Sequence, residues 1–322
     1  MTRTTPARPP FDPELGAVLT LLSDRLPPYF TMEQIPDLRS MAAPPIDPES
    51  VAQAGIVSSD VTIPTQDGGE IVLTILEAEG RTGTGPGFYY IHGGGMVSGT
   101  RWSGVPGVFP WLHRFGAVAV TVEYRLAPEF PDPVPIEDSY AGLIWIAEHA
   151  NEIGIDLNRL IVMGGSAGGG LAAGLAHLSR DRGGPSLAGQ LLMYPMLDDR
   201  DSTMSTRQID GIGIWDRTSN VTGWTAYLGD RRGTDRVSVY AAPARATDLS
   251  GLPPAFIDCG SAEVFRDEDV SYASAIWAAG GQAELHVWPG GFHMFDNLAP
   301  QAVLSQQMRA AREGWLARIL DA

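Results

Sequence analysis

The chain has 322 residues, 44% of them hydrophobic, and its 22 basic and 38 acidic side chains give a net charge of −16. That is ample for a sizeable core, either as one α/β domain with a small cap or as two domains, and the acidic balance excludes the basic face that nucleic acid requires, leaving charge as a solubility device. With one cysteine, Cys259, no internal disulfide can form; with no Cys/His cluster at zinc spacing and no His-Glu-x-x-His, no metal is expected.

Residues 1–12 are rich in Pro and Thr and are expected to be mobile. Arg3 and Arg8 precede the apolar run Gly16–Leu22, but the run is short, Asp12 and Glu14 lie before it, and no small-residue cleavage pattern follows. It reads as an amphipathic helix and not a signal peptide. No apolar run approaches the ~20 residues of a membrane span, so a cytoplasmic location is the expectation. Leu15, Val18, Leu19 and Leu22 recur at helical spacing, as do Met32, Ile35, Leu38 and Met41; Pro27-Pro28 separates the two segments and Pro44-Pro45 ends them.

Strand signals follow. Val57–Ile63 and Ile71–Leu76 flank Asp67-Gly68-Gly69, a hairpin pattern. Phe88–Ile91 and Ala117–Val122 are short apolar runs of the buried-strand type. A helix is expected over Ile136–His149, a strand over Leu160–Met163, a helix over 168–180 and a strand over Gly189–Tyr194. Residues 198–235 break this rhythm with charge, Trp215 and Trp224, and read as an insertion over the carboxyl edge of the sheet. Ala255–Asp258 and Glu284–Val287 are the last strands, and Leu304, Met308, Ala311, Trp315 and Ile319 mark a C-terminal helix. Strands alternating with helices imply a mostly parallel sheet covered on both faces.

The chemistry is concentrated at Gly164-Gly165-Ser166-Ala167-Gly168. A Gly-x-Ser-x-Gly directly after an apolar run and before helical sequence places a serine on a strained strand-to-helix turn, with its Oγ exposed at the top of a sheet. A neutral serine needs a base. In this architecture the base follows the last strand, where His293 stands in Gly290-Gly291-Phe292-His293. His113, His149 and His177 fall in helical sequence and His286 within a strand. The base in turn needs a carboxylate to fix its tautomer. Chain order puts that acid after Ala255–Asp258, where Asp258, Glu263 and Asp267 are candidates. Asp258 belongs to the strand end and Asp267 to the first turn of a helix, where acids complement the dipole; Glu263 lies in the loop between.

Upstream, His92-Gly93-Gly94-Gly95 follows a strand. Bare N–H groups of such a run can point at a developing oxyanion, joined by the Ala167 N–H just after the serine. His92 reads as a brace for that loop. A competing phosphate-loop reading of Gly168-Gly169-Gly170-Leu171-Ala172-Ala173 starts too far past the strand and has no placed acid for a ribose.

These residues resemble the hormone-sensitive-lipase-like esterases, the bacterial family IV carboxylesterases of the α/β-hydrolase fold. The resemblance covers about residues 55–322 and also takes in Glu123-Tyr124-Arg125-Leu126-Ala127-Pro128-Glu129 and Glu263-Val264-Phe265-Arg266-Asp267-Glu268. It implies an eight-stranded sheet in a catalytic domain, 46–322, under a small helical cap built from residues 1–45 and the insertion 198–235. It implies cofactor-free hydrolysis of short- to medium-chain carboxylic esters through an acyl-enzyme, with oxyanion donors at Gly93, Gly94 and Ala167. The family's acid opens an Asp-x-Leu-Arg-Asp motif, so the resemblance implies Glu263 as the acid, a Glu-for-Asp change. Gly165 stands where the family often has Asp, and His293-Met294-Phe295 where Gly-Phe commonly follows the base. Met96, Val97, Tyr194, Trp215, Trp224, Phe292 and Met294 are the candidates for lining the acyl and alcohol pockets. The expected partner is a small-molecule ester, with a homodimer left open. The alternatives are a serine amidase or peptidase on the same triad, and a non-catalytic small-molecule receptor on the same fold, as in the plant gibberellin receptors; the complete triad pattern speaks against the receptor.

Overall fold

The computed structural model describes residues 6–23, 27–41 and 47–321. In chain order it forms α1 (Pro13–Ser23), α2 (Ile35–Met41), α3 (Pro48–Gln53), β1 (Ile56–Pro64), β2 (Glu70–Ala78), β3 (Gly85–Ile91), α4 (Phe109–Phe115), β4 (Val118–Glu123), α5 (Val134–His149), β5 (Ile155–Gly165) and α6 (Ala167–Arg182). There follow β6 (Gly189–Met193), α7 (Met204–Gln208), α8 (Arg217–Leu228), β7 (Ala255–Gly260), α9 (Arg266–Ala278), β8 (Ala283–Trp288), α10 (Phe295–Leu298) and α11 (Val303–Leu320). Pro44-Pro45 and Arg3 lie outside the described residues.

The eight strands form one sheet in the order β1-β2-β4-β3-β5-β6-β7-β8. The pairs β1–β2 and β2–β4 are antiparallel, and every pair from β4 to β8 is parallel. The expected mostly parallel α/β-hydrolase sheet is therefore present. Parallel strands need both faces covered, and successive side chains supply the two faces. Phe88 and Tyr90 of β3 pack with α1, α4 and α11 through Leu15, Trp111, Met308 and Trp315. Tyr89 and Ile91 pack on the other face with Leu143 of α5, Leu175 of α6 and Ile276 of α9. Among the described residues no helix is long and apolar enough to cross a membrane.

Three features depart from the sequence expectations. Residues 6–12 are docked, not free: the Asp12 N–H donates to the Gly290 carbonyl at 3.0 Å, and Phe11 meets Phe292 edge-on at 6.2 Å. Apolar burial of Phe11 outweighs the Pro-rich composition around it. Strand β5 begins at Ile155, earlier than its apolar run, because Ile155 and Asp156 already pair with β3 before a register shift lets the polar stretch to Arg159 bulge out. Helix α3 had a local signal that periodicity misses: Asp47 caps it by accepting from the Glu49 N–H at 3.3 Å, with proline in the first turn.

The chain order places the site. β4 lies on one side of β3 and β5 on the other, so the connections leaving the carboxyl ends of β3 and β5 diverge. Open α/β sheets form their binding crevice at such a switch point. The glycine run follows β3 and Ser166 follows β5.

Candidate active site

Ser166 stands between the last residue of β5 and the first of α6, with φ +57° and ψ −123°. A non-glycine residue at positive φ is strained and persists only where its surroundings hold it. Here the Ser166 N–H donates to the Met193 carbonyl at 2.9 Å, and its carbonyl accepts from Gly170 and Met196 at 3.0 and 2.9 Å. The turn is also crowded: a Cβ on Gly168 would run into the Ile91 carbonyl oxygen. The flanking glycine is thus required by contact with β3.

The Ser166 Oγ lies 3.0 Å from His293 Nε2. His293 is buried between two aromatic rings, both edge-on, Tyr194 at 5.0 Å and Phe265 at 5.1 Å. Its other nitrogen, Nδ1, is 3.5 Å from Glu263 Oε2. That is longer than a good hydrogen bond, and neither Glu263 oxygen has a hydrogen-bond partner although the side chain is fully buried. Catalytic contacts are often long without substrate and tighten in the complex.

The three candidate acids separate cleanly. Asp258 is buried and accepts from Arg312 Nε at 2.8 Å and Nη2 at 3.0 Å, while Arg312 Nη1 also donates to Asp296 at 2.6 Å. Burial pushes the Asp258 carboxyl up to about 6, and the Arg312 charge opposes it. Asp267 accepts from the Ser205 N–H at 2.8 Å and from Arg266 Nε at 2.7 Å, tying α9 to α7. Only Glu263 of the three faces His293. Beside it, Asp269 is held well above the carboxylate range, first by burial and then by the nearby Glu263 and Glu268 carboxyls.

The glycine run turns sharply. Gly94 has φ +115°, and a Cβ there would strike the Ser98 carbonyl. Its carbonyl accepts from the Val97 and Ser98 N–H groups at 3.1 and 3.0 Å. No described residue accepts from the N–H of Gly93 or Gly94, and Ala167 is the first residue of α6, where an amide has no partner within the helix. His92 braces this loop: Nδ1 bonds the Gly93 carbonyl at 2.7 Å, and the ring stacks on Tyr124 at 4.1 Å. Burial pushes its imidazole down to about 4, so the ring is neutral.

A cavity of 360 Å³ opens over Ser166, within the range of small-molecule sites. Tyr194, Trp215 and Met294 line it, as expected. Met96, Val97, Trp224 and Phe292 do not; all four are almost fully buried in the core, and that expectation is corrected. Trp224 packs against Tyr227, and Phe292 against Phe11 and Phe295. Large apolar residues near the motif were simply more useful as packing. Phe30, Ile214, Tyr90 and Asn297, which no sequence pattern marks, also line the cavity, as do the helix-face residues Leu38 and Met41. Phe265 carried a signal in its position two residues past Glu263; Phe30, on an irregular segment, carried none. Gly165 has a consequence of its own: a Cβ there would sit 3.2 Å from the Tyr194 ring. A larger surface hollow of 710 Å³, along α5 at Tyr140 and Trp145, contains none of the candidate catalytic side chains.

Comparison with known proteins points the same way. A family described as α/β hydrolase fold matches residues 88–297. The chain is similar to carboxylesterase NlhH of Mycobacterium tuberculosis, 35% identical over 315 residues and covering 93% of each chain. Esterase LipI of the same organism is 31% identical over 298 residues, 89% of this chain and 88% of its own. Among solved structures, a bacterial heroin esterase superposes with a TM-score of 0.87 at 36% identity, covering 96% of this chain and 98% of its own. The chain belongs to the α/β-hydrolase fold family, in the hormone-sensitive-lipase-like branch of its carboxylic ester hydrolases.

Proposed function

We propose that Ser166, His293 and Glu263 form the catalytic triad of a serine carboxylesterase for short- to medium-chain esters. The observation that carries it is the 3.0 Å contact between Ser166 Oγ and His293 Nε2 on a positive-φ elbow beneath an apolar cavity. His293 takes the hydroxyl proton as Oγ attacks the ester carbonyl. The oxyanion that forms is held by the N–H groups of Gly93, Gly94 and Ala167. His293 then gives its proton to the departing alcohol, and the acyl-enzyme is hydrolysed by water that the same imidazole activates. Glu263 orients the ring and stabilises the imidazolium. The cap is residues 1–45 with the insertion 198–235, a reading supported by Leu38, Met41 and Trp215 among the side chains that line the cavity. The reaction uses no cofactor or metal. Its partner is a small ester, and the cytoplasm is the proposed compartment.

The test is a series of p-nitrophenyl esters of rising acyl length beside matched anilides, with and without EDTA. Turnover of butyrate exceeding that of palmitate, weaker turnover of anilides and indifference to EDTA are expected. Preference for palmitate, or activity lost in EDTA and restored by a divalent metal, would remove this reading.

A further inference from the structure

We propose that Ile214 is the partition between the serine cavity and a second apolar cavity, and that the second cavity takes the distal end of a longer alkyl chain of the ester. The proposal rests on the Ser166 reading and extends it to substrate length. The second cavity, 400 Å³, lies between α1 and the segment 211–214, with Phe11, Leu19, Leu22, Pro28 and Ile212 among its walls. Ile214 is the one described residue that lines both it and the 360 Å³ cavity over Ser166.

The segment that carries Ile214 is built as a closed loop. Its neck is tied by the Arg217 N–H to the Ile209 carbonyl at 2.8 Å and by the Gly211 N–H to Asp216 Oδ2 at 2.8 Å. Gly211 and Gly213 turn the chain at φ +70° and +91°. Trp215, next in sequence, is buried. Ile214 is therefore fixed at its C-terminal side and flanked on the other by a residue that bends without a side chain to clash. It is half-buried, as a wall between two cavities must be.

The serine cavity carries hydroxyls and an amide from Tyr194, Ser98 and Asn297 as well as apolar side chains. The second is walled by Phe, Leu, Pro and Ile side chains, with the hydroxyls of Thr20 and Ser23 already donated to the Gly16 and Thr20 carbonyls, which suits an alkyl chain. A chain that outgrows the first cavity either meets water or passes Ile214. Each methylene that gains cover adds about fourfold to kcat/KM, from roughly 0.8 kcal/mol of burial.

The experiment measures kcat/KM for two series, p-nitrophenyl esters from acetate to dodecanoate and acetates of alcohols of the same lengths. Ile214→Ala should raise the decanoyl-to-butyryl ratio, or the decyl-to-butyl ratio, about tenfold or more, the length of two newly covered methylenes; Ile214→Trp should lower it. The series that responds identifies whether acyl or alcohol chain enters. Leu19→Trp fills the second cavity from α1 and should cancel the gain of Ile214→Ala. Ratios unmoved by both Ile214 variants in both series, with the variants folded by circular dichroism, overturn the partition while leaving the esterase reading intact. Wild-type protein that turns over no ester in either series removes both.

Discussion

The residues that would move protons and those that would choose the substrate are held in different ways. The first group stands at strand ends. The glycine run leaves β3, Ser166 leaves β5, Glu263 follows β7 and His293 follows β8. The hydrogen-bonded register of five neighbouring strands, β3, β5, β6, β7 and β8, sets their spacing before any side chain is considered. The second group comes from segments far apart in the chain, and side chains hold it. Phe30 is pinned by its backbone to Ser219 Oγ at 3.0 Å and Thr222 Oγ1 at 2.8 Å. Arg39 of α2 reaches the Val97 carbonyl at 2.7 Å, the Ala127 carbonyl at 2.9 Å and Glu129 through two bonds at 2.8 and 2.6 Å. Backbone order positions chemistry; side-chain latches position selectivity. Changes in the first group should act on kcat, and changes in the second on KM and chain length.

The largest break in that contrast is at the serine. Ser166→Ala should lose on the order of 10⁶ in turnover while its fold persists, by analogy with dissected triads. A variant keeping a tenth of wild-type turnover would sink the serine mechanism.

Next comes the acid. Glu263→Gln should cost on the order of 10³–10⁴ in kcat, since an amide favours the wrong tautomer of His293. Asp258→Asn and Asp267→Asn should change kcat far less. Asp258→Asn should instead lower stability, because Arg312 loses charge from a buried partner. Turnover of the three variants at matched folded fraction decides it. A near-normal Glu263→Gln beside an inactive Asp258→Asn would move the acid to Asp258.

The cap latch should be weaker. Arg39→Ala removes two charge-assisted bonds to carbonyls and a part-exposed ion pair, and KM should rise about tenfold with kcat changed less. A fall in kcat with KM unchanged would assign Arg39 to the oxyanion loop through Val97 instead. The hydrogen bonds from Arg39 hold the Glu129 carboxyl down to about 2. A lowered carboxylate contributes fully above its unfolded value, about 4.5, and the contribution fades as pH falls towards 2. The latch is therefore intact at neutral pH.

The smallest effect is on stability. Burial first, then the Arg180 charge, holds His177 down to about 4. The unfolded imidazole binds its proton near 6.5. The stability this neutral ring contributes is present above about 6.5 and is lost as pH falls towards 4. His177→Gln should flatten the fall in urea midpoint across that window. The difference between the two proteins isolates His177 from His92 and Asp258, which titrate nearby. Parallel slopes would contradict the assignment.

The same contrast decides what could be read from the sequence. Gly164–Gly168 and the run Gly93–Gly95 are legible because a strained turn and a crowded loop each demand glycine at fixed offsets. The unbroken apolar run Phe88–Ile91 is legible because β3 buries both faces. Pattern alone favours Glu263 only modestly over Asp258 and Asp267, and the resemblance is what singles it out, because the partner that occupies Asp258, Arg312, lies fifty-odd residues away. Phe30 and Ile214 were not legible. They lie on irregular segments whose conformation depends on Ser219, Thr222, Asp216 and Ile209, partners that no local period announces. Met96 and Phe292 show the converse: closeness to a motif in sequence says little about which side of the wall a side chain occupies.

The central claim is that Ser166 carries the acyl group between the two halves of the reaction. Its most direct test is rapid acid quench during turnover of p-nitrophenyl butyrate, followed by peptide mass spectrometry. One butyryl group is expected on the peptide containing Ser166, and none in Ser166→Ala. Turnover at the wild-type rate with no acylated Ser166 at any quench time, or acylation on a different side chain, would contradict it.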